Sequence, residues 1–406
     1  MHLSRSSLLR STLTAASLAL LVAASGCRRN HFPDVPAGYR EYAYVTNGSS
    51  NTVSVLDLVN LRQDRTLQVG LNPSGVAVNP LHNEVYVVNS GSGTVSVINA
   101  AANRIVATIP VHHLPYFISV EPSGQRAYIA NSGSNSVSVI DLDRRREIAV
   151  TGTGELPGLA RISPDMRSLV VTNRGSSSVS VFDVASYDPQ PHGPILRLRA
   201  AFPGCSGATD AVILPDSSKA FVACSAGHQV MAINLAAAPG SWAAKQDPAL
   251  TTDHVLTLLD VGLTPVHIAL KPDGGEIFVS NFGSDSISEI STWTNEVLST
   301  YTIGSKPVHG IVSSDNSTLW VANFGADLIS IYSIDDGKLV ATVHTGSAPD
   351  NLAFSADEHL LLATDAHSGD VSVIRTQGKQ GAALFTILPA GGSPNAIAVK
   401  VIQDHP

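Results

Sequence analysis

Four polar residues at matching places in a repeated phrase give this 406-residue chain most of its chemical potential: Asp210, His267, His309 and Asn351. Two of them end the same tripeptide, 265-PVH-267 and 307-PVH-309, 42 residues apart. Imidazoles beside carboxylates can hold a divalent metal or act as general acid and base, given suitable hydrogen-bond geometry. An identical copy also suits a plainer role, a histidine that satisfies backbone groups at a strand entry. Asp350 and Asn395 adjoin the same positions, and Arg174, Phe282, Phe324, Asp365 and His367 break the local pattern nearby. If these groups converge, His267, His309 and His367 supply imidazoles and Asp210, Asp350 and Asp365 carboxylates. Phe282 and Phe324 then form an apolar wall, or else pack between neighbouring units.

The elements that must position them follow from internal repetition. The segments 42-YAYVTNGSSNTVSVLDL-58, 84-EVYVVNSGSGTVSVINA-100 and 126-RAYIANSGSNSVSVIDL-142 are one motif with small edits. Asn47, Asn89, Asn131, Asn173, Cys224, Asn281, Asn323 and Asp365 mark eight copies. Each copy holds four short Val/Ile-rich runs punctuated by Gly, Pro, Asn and Ser, and a period in the forties filled with strands is the mark of a propeller blade. The expected fold is all-β: a β-propeller over residues 41–403, with eight four-stranded blades, or seven if one copy is irregular. The first copy lacks an inner strand, whereas 395-NAIAVKV-401 is a lone inner strand. Joining the two completes the first blade and removes a free sheet edge. Inner strands line the central channel, which places Asp210, His267, His309 and Asn351 in an arc at its upper mouth.

Cys205 and Cys224 fall at the same end of one blade, 19 residues apart. They read as a disulfide, or as two small buried thiols, with the exported context below favouring the bond. That context comes from the N-terminus, where Arg5 and Arg10 lead the apolar run 13-LTAASLALLVAAS-25, which reads as a signal peptide over residues 1–26. The phrase 24-ASGC-27 is similar to a bacterial lipobox with Ala24 where the family pattern prefers Leu, so Cys27 is the expected lipidation site and ordinary cleavage the alternative. Residues 27–40 then form a tether, the membrane is a partner through the lipid, and the body lies in the cell envelope. Arg28 after the lipidated cysteine leans toward outer-membrane sorting by analogy.

Only 14% of residues are charged, 5% are aromatic and the net charge is −8, a balance that argues against a nucleic-acid partner. The chain holds no Cys-x-x-Cys-His, no His-Glu-x-x-His, no Gly-x-Ser-x-Gly and no phosphate-cradling glycine loop.

The strand 44-YVTN-47, the phrase 94-TVSVI-98 and the inner-strand pattern 73-PSGVAVNP-80 resemble the YVTN family of β-propeller repeats across residues 41–401. Families of similar sequence style include exported propellers, propeller lactonases, streptogramin lyases and the haem-binding propeller of nitrite reductases, so the resemblance implies a scaffold and not one activity. Three functions are expected in turn. The first is an exported lipoprotein that binds a protein, glycan or small molecule through its upper face. The second is a metal-assisted lactonase or lyase that uses His267 or His309 with Asp210 or Asp350. The third is a propeller that carries haem or a divalent metal over the channel.

Overall fold

A burial gradient across each four-stranded unit explains how this sequence builds its sheets. In the unit of residues 265–302, the second strand, Glu276–Asn281, is buried on both faces except at its first residue, whereas the outer strand, Glu296–Thr302, alternates between exposed and half-buried positions. Strands covered on both faces need continuous apolar runs, and an edge strand needs only one apolar face. The computed structural model describes residues 36–188, 193–377 and 381–402. The expected signal peptide and Cys27 lie outside them. The chain from Arg40 onward forms one compact unit. No helix among the described residues is long and apolar enough to cross a membrane.

From Arg40 onward the chain forms eight antiparallel four-stranded sheets. Blade 1 takes residues 41–68 together with 394–401, and blades 2 to 8 follow as 73–110, 115–152, 157–203, 208–260, 265–302, 307–344 and 349–389. The expected closure is present: Glu41–Asn47 pairs with Thr52–Asp57 on one side and Pro394–Val401 on the other, with Tyr44 opposite Val55 and Ala398. Neighbouring blades share cores, as where Val170, Val179 and Val181 of blade 4 meet Ala211, Val222 and Met231 of blade 5.

The repeated asparagine is a structural tie. In all six asparagine copies its amide donates to the hydroxyl seven residues on, at 2.8 to 3.0 Å. That bond locks the second strand to the third at the upper end of the blade. Cys224 occupies the same place in blade 5 and is disulfide-bonded to Cys205, with Cα atoms 4.8 Å apart. Asp365 occupies it in blade 8.

Two further repeats set the height of the inner strands. The residue before each inner strand is left-handed in all eight blades, and only Gly207 among them is glycine. Each pairing of inner with second strand also slips just inside the strand start, as between Pro265 and His267, Pro307 and His309, and Pro349 and Asn351. Such bulges re-aim the side chain that follows.

Candidate functional site at the channel mouth

The slipped residue of each inner strand turns toward the axis, and the four polar ones meet there. Asp210, His267, His309 and Asn351 all line one cavity of about 340 Å³. Phe117, Tyr116, Arg161 and Asn395 complete much of its wall. The cavity mixes largely apolar strand entries from blades 2 to 4, joined by Arg161 of blade 4, with polar ones from blades 5 to 8.

Two of the polar residues are already committed. Asp210 Oδ1 accepts from Ala211 N at 2.8 Å, and its Oδ2 accepts from Ile268 N of the next blade at 2.9 Å. His267 repeats this device: its Nδ1 accepts from Gly310 N of blade 7 at 3.2 Å. Because Nδ1 takes that proton donor, the neutral ring carries its own hydrogen on Nε2, which stands 3.8 Å from Asp210 Oδ2. Each side chain thus satisfies an inner-strand N–H of its neighbour, the plainer role available to a copied histidine. His309 departs from the copy. Its ring lies against His267 with centroids 3.9 Å apart, and its buried Nδ1 has no hydrogen-bond partner among the described residues.

Arg161 supplies the missing cation. It sits two residues beyond Leu159, one pleat deeper in the channel, with its guanidinium 3.7 Å from Asp210 and over the Phe117 ring at 5.3 Å. Its Nε is buried without a partner. The sequence signal was the fourth position after each strand-opening residue, which reads Ala77, Ser119, Arg161, Val212, Ala269, Ile311, Ala353 and Ala398, a single charge among small and apolar residues.

Burial controls the protonation of this group. It pushes His267 down to about 3, helped by the Arg161 charge, and holds His309 well below the usual imidazole range, helped by His267. Both rings are neutral at neutral pH. Burial also raises the Asp210 carboxyl, against the opposing pull of Arg161 and the two backbone N–H groups. A base with so low a pKa accepts a proton poorly, so the pair is badly tuned for general acid–base work near pH 7.

The remaining candidates stay outside the cavity wall. Asp350 lies on the blade 8 inner strand, and burial pushes its carboxyl up to about 6. Asp365 is fully buried at the blade's structural tie, accepts from Ser372 Oγ at 2.7 Å, and is pushed up to about 8 by burial and by Asp370. Phe282, Phe324 and His367 form a separate chain on the upper rim, with ring centroids 6.5 and then 5.2 Å apart and Lys306 over Phe282. Arg174 is exposed on an upper turn.

A metal ion fits this mouth poorly. The lone pair at His267 Nδ1 is used by Gly310, and both Asp210 oxygens already accept backbone N–H groups. Among the described residues no group of three or more His, Cys, Asp or Glu side chains could hold a metal ion.

Comparison with known proteins places this arrangement in context. No curated protein sequence matches the chain. Among solved structures, the dihydro-heme d1 dehydrogenase NirN in complex with DHE is similar with a TM-score of 0.69 at 13% identity, over 92% of this chain and 78% of that one. Apo AztD from Citrobacter koseri gives 0.64 at 12% identity, over 89% and 98%. The hydrazine synthase of Kuenenia stuttgartiensis gives 0.52 at 20% identity, over 82% and 92%. At such identities the likeness is one of fold. The sequence profile described as Lactonase, 7-bladed beta-propeller matches residues 42–305 and 308–398. With most of its length matched, the chain belongs to that seven-bladed lactonase family, within which its own ring counts eight blades.

Proposed function

We propose that this protein is an exported, lipid-anchored propeller that binds a small anionic molecule at its channel mouth. One observation carries the reading: Arg161 lines the cavity beside His309 with its side chain 35% exposed, and its carboxylate neighbour Asp210 stands 3.7 Å off, beyond hydrogen-bond distance. A hydrogen bond from a ligand anion to that charged guanidinium contributes about 1.5–3 kcal/mol. The guanidinium is permanently charged and suits a carboxylate or phosphate, while Phe117 and Tyr116 offer an apolar flank.

Family membership favours hydrolysis of a lactone as a second reading. The geometry supplies it with a cation for a developing oxyanion but with no well-tuned base, since Asp210 and His267 are spent on backbone N–H groups and burial holds His309 well below the usual imidazole range. Binding without turnover is therefore expected. The tetrapyrrole bound in NirN suggests a third reading, for which the mouth offers one imidazole, His309, and one cation, Arg161; a haem titration without a saturable band shift removes it.

The deciding experiment is calorimetry on the purified chain with sugar acids, their lactones and neutral sugars, alongside a lactone-hydrolysis assay. The acids are expected to bind, Arg161→Ala to weaken that binding at least tenfold, and hydrolysis to stay at background. Equal affinity for neutral sugars, or no effect of Arg161→Ala, overturns the proposal.

A further inference from the structure

The lower face of the ring, opposite the channel mouth, gathers features that the ligand site leaves unused. The chain has three tryptophans. Trp320 is buried, but Trp242 and Trp293 are 77% and 84% exposed. Both exposed indoles lie in connections between third and outer strands, Trp242 in blade 5 and Trp293 in blade 6, and such connections all belong to the lower face. The propeller also begins there: Arg40 donates to Ala101 O in the lower turn of blade 2, and Glu41 pairs with Val401 at the lower end of blade 1. In an eight-bladed ring blade 5 stands across from blade 1. A plane that touches both the chain entry and the two indoles is therefore the lower face itself.

Beside Trp293 lies a groove of about 200 Å³ lined by Leu214, Pro215, Lys219, Asp216 and Asp273. The Lys219 ammonium donates to Thr292 O at 2.6 Å and to Asn295 Oδ1 at 3.1 Å, which leaves one of its three hydrogens free. The groove thus presents one ammonium and two carboxylates beside an exposed indole, with Asp273 also 3.3 Å from Lys271 Nζ and Asp216 Oδ1 also accepting from Ser218, which leaves Asp216 Oδ2 as the more open carboxylate oxygen. That combination matches a zwitterionic headgroup, with phosphate toward Lys219 and the headgroup amine toward the carboxylates. Indoles settle at the boundary between headgroups and acyl chains, because one edge is apolar and the N–H is wet.

We infer that the lower face rests on a zwitterionic phospholipid surface, with Trp242 and Trp293 in the headgroup layer and the channel mouth turned away from the membrane. The inference rests on the reading of Cys27 as a lipid anchor. Residues 28–40 span at most about 45 Å when extended, enough slack for the lower face to lie flat on the surface that holds the lipid.

The test reconstitutes the acylated full chain into phosphatidylcholine and phosphatidylethanolamine vesicles with brominated acyl chains and reads tryptophan fluorescence. Quenching is expected, reduced by Trp242→Phe and by Trp293→Phe and abolished in the double variant, where only buried Trp320 remains. Added anionic lipid is expected to leave it unchanged or weaker. Unquenched tryptophans on a vesicle-bound chain overturn the inference and leave the face to a protein partner. Mass spectrometry of Cys27 separates the two readings. An unacylated cysteine removes the anchor, and the same quenching measured on the unacylated chain mixed with vesicles then decides the lower face by itself.

Discussion

His267 and His309 end the same three-residue phrase and yet do different work. His267 holds the Gly310 N–H, so His267→Ala is expected to cost about 1–3 kcal/mol of stability by leaving that donor buried and unpaired. His309→Ala is expected to unfold near the parent temperature and to lose affinity for the acid ligand. Thermal melts and calorimetry on the two variants check the contrast, and equal destabilisation would show that the copy is merely structural. Asp365 allows a second prediction. Its carboxyl titrates at an ordinary 3.8 when unfolded and near 8 when folded, so between those values the native chain binds more protons than the unfolded one. Stability from this group is fully present below about pH 4 and is lost as pH rises through 8. Asp365→Asn restores the amide used in the asparagine blades and offers Ser372 a donor, as Asn47 does for Ser54. The variant is expected to gain about 1 kcal/mol above pH 8 and little near pH 5, read from chemical melts across that range.

At the level of strands and ties, blade 5 replaces a hydrogen bond with a covalent one. Cys224 gives up the amide that locks second strand to third and instead fastens its strand to the segment that enters the blade at Cys205. Closing this 19-residue separation stabilises by about 3 kcal/mol in the chain-entropy account. Reduction, or Cys205→Ser with Cys224→Ser, is expected to lower stability by about 2–4 kcal/mol, measured by denaturant melts with and without reductant. The strand-level features were the most legible in the sequence. Asn47 and its copies announced the ladder because six of the eight blades use the same tie, and the pattern of apolar runs gave the strand order. The arc of Asp210, His267, His309 and Asn351 was legible for the same reason, since the slip after each strand-opening residue recurs at a fixed place. Arg161 escaped notice because it lies one pleat deeper, in a column of small residues where a repeat comparison confined to strand entries does not look. The different fates of the histidines were invisible because the partner of His267 is a backbone N–H, which side-chain identity does not encode. Asp365 was misleading in the opposite sense: a carboxylate at a structural tie looks like chemistry in one dimension.

Over the whole ring, the asymmetry of the mouth follows from division of labour among blades. At the strand entries blades 2 to 4 present Gly75, Phe117 and Leu159 to the cavity, with Arg161 of blade 4 one pleat deeper, and blades 5 to 8 present acid, imidazole and amide. Every blade contributes an inner strand of the same height, so the cavity's polarity can change by substitution at one position per blade without disturbing the cores between blades. The seam of blade 1 is tied by more than its ladder. Glu41 accepts from Ala356 N of blade 8, and buried Lys400 donates to Asn79 O of blade 2 at 2.7 Å. This seam has a meaning during synthesis. The strand that completes blade 1 is made some 350 residues after the strand it covers, and until it arrives Glu41–Asn47 keeps an open edge. The ring therefore works as a length gauge: a product cut short upstream of Pro394 displays an unpaired strand edge, whereas a chain made whole conceals it.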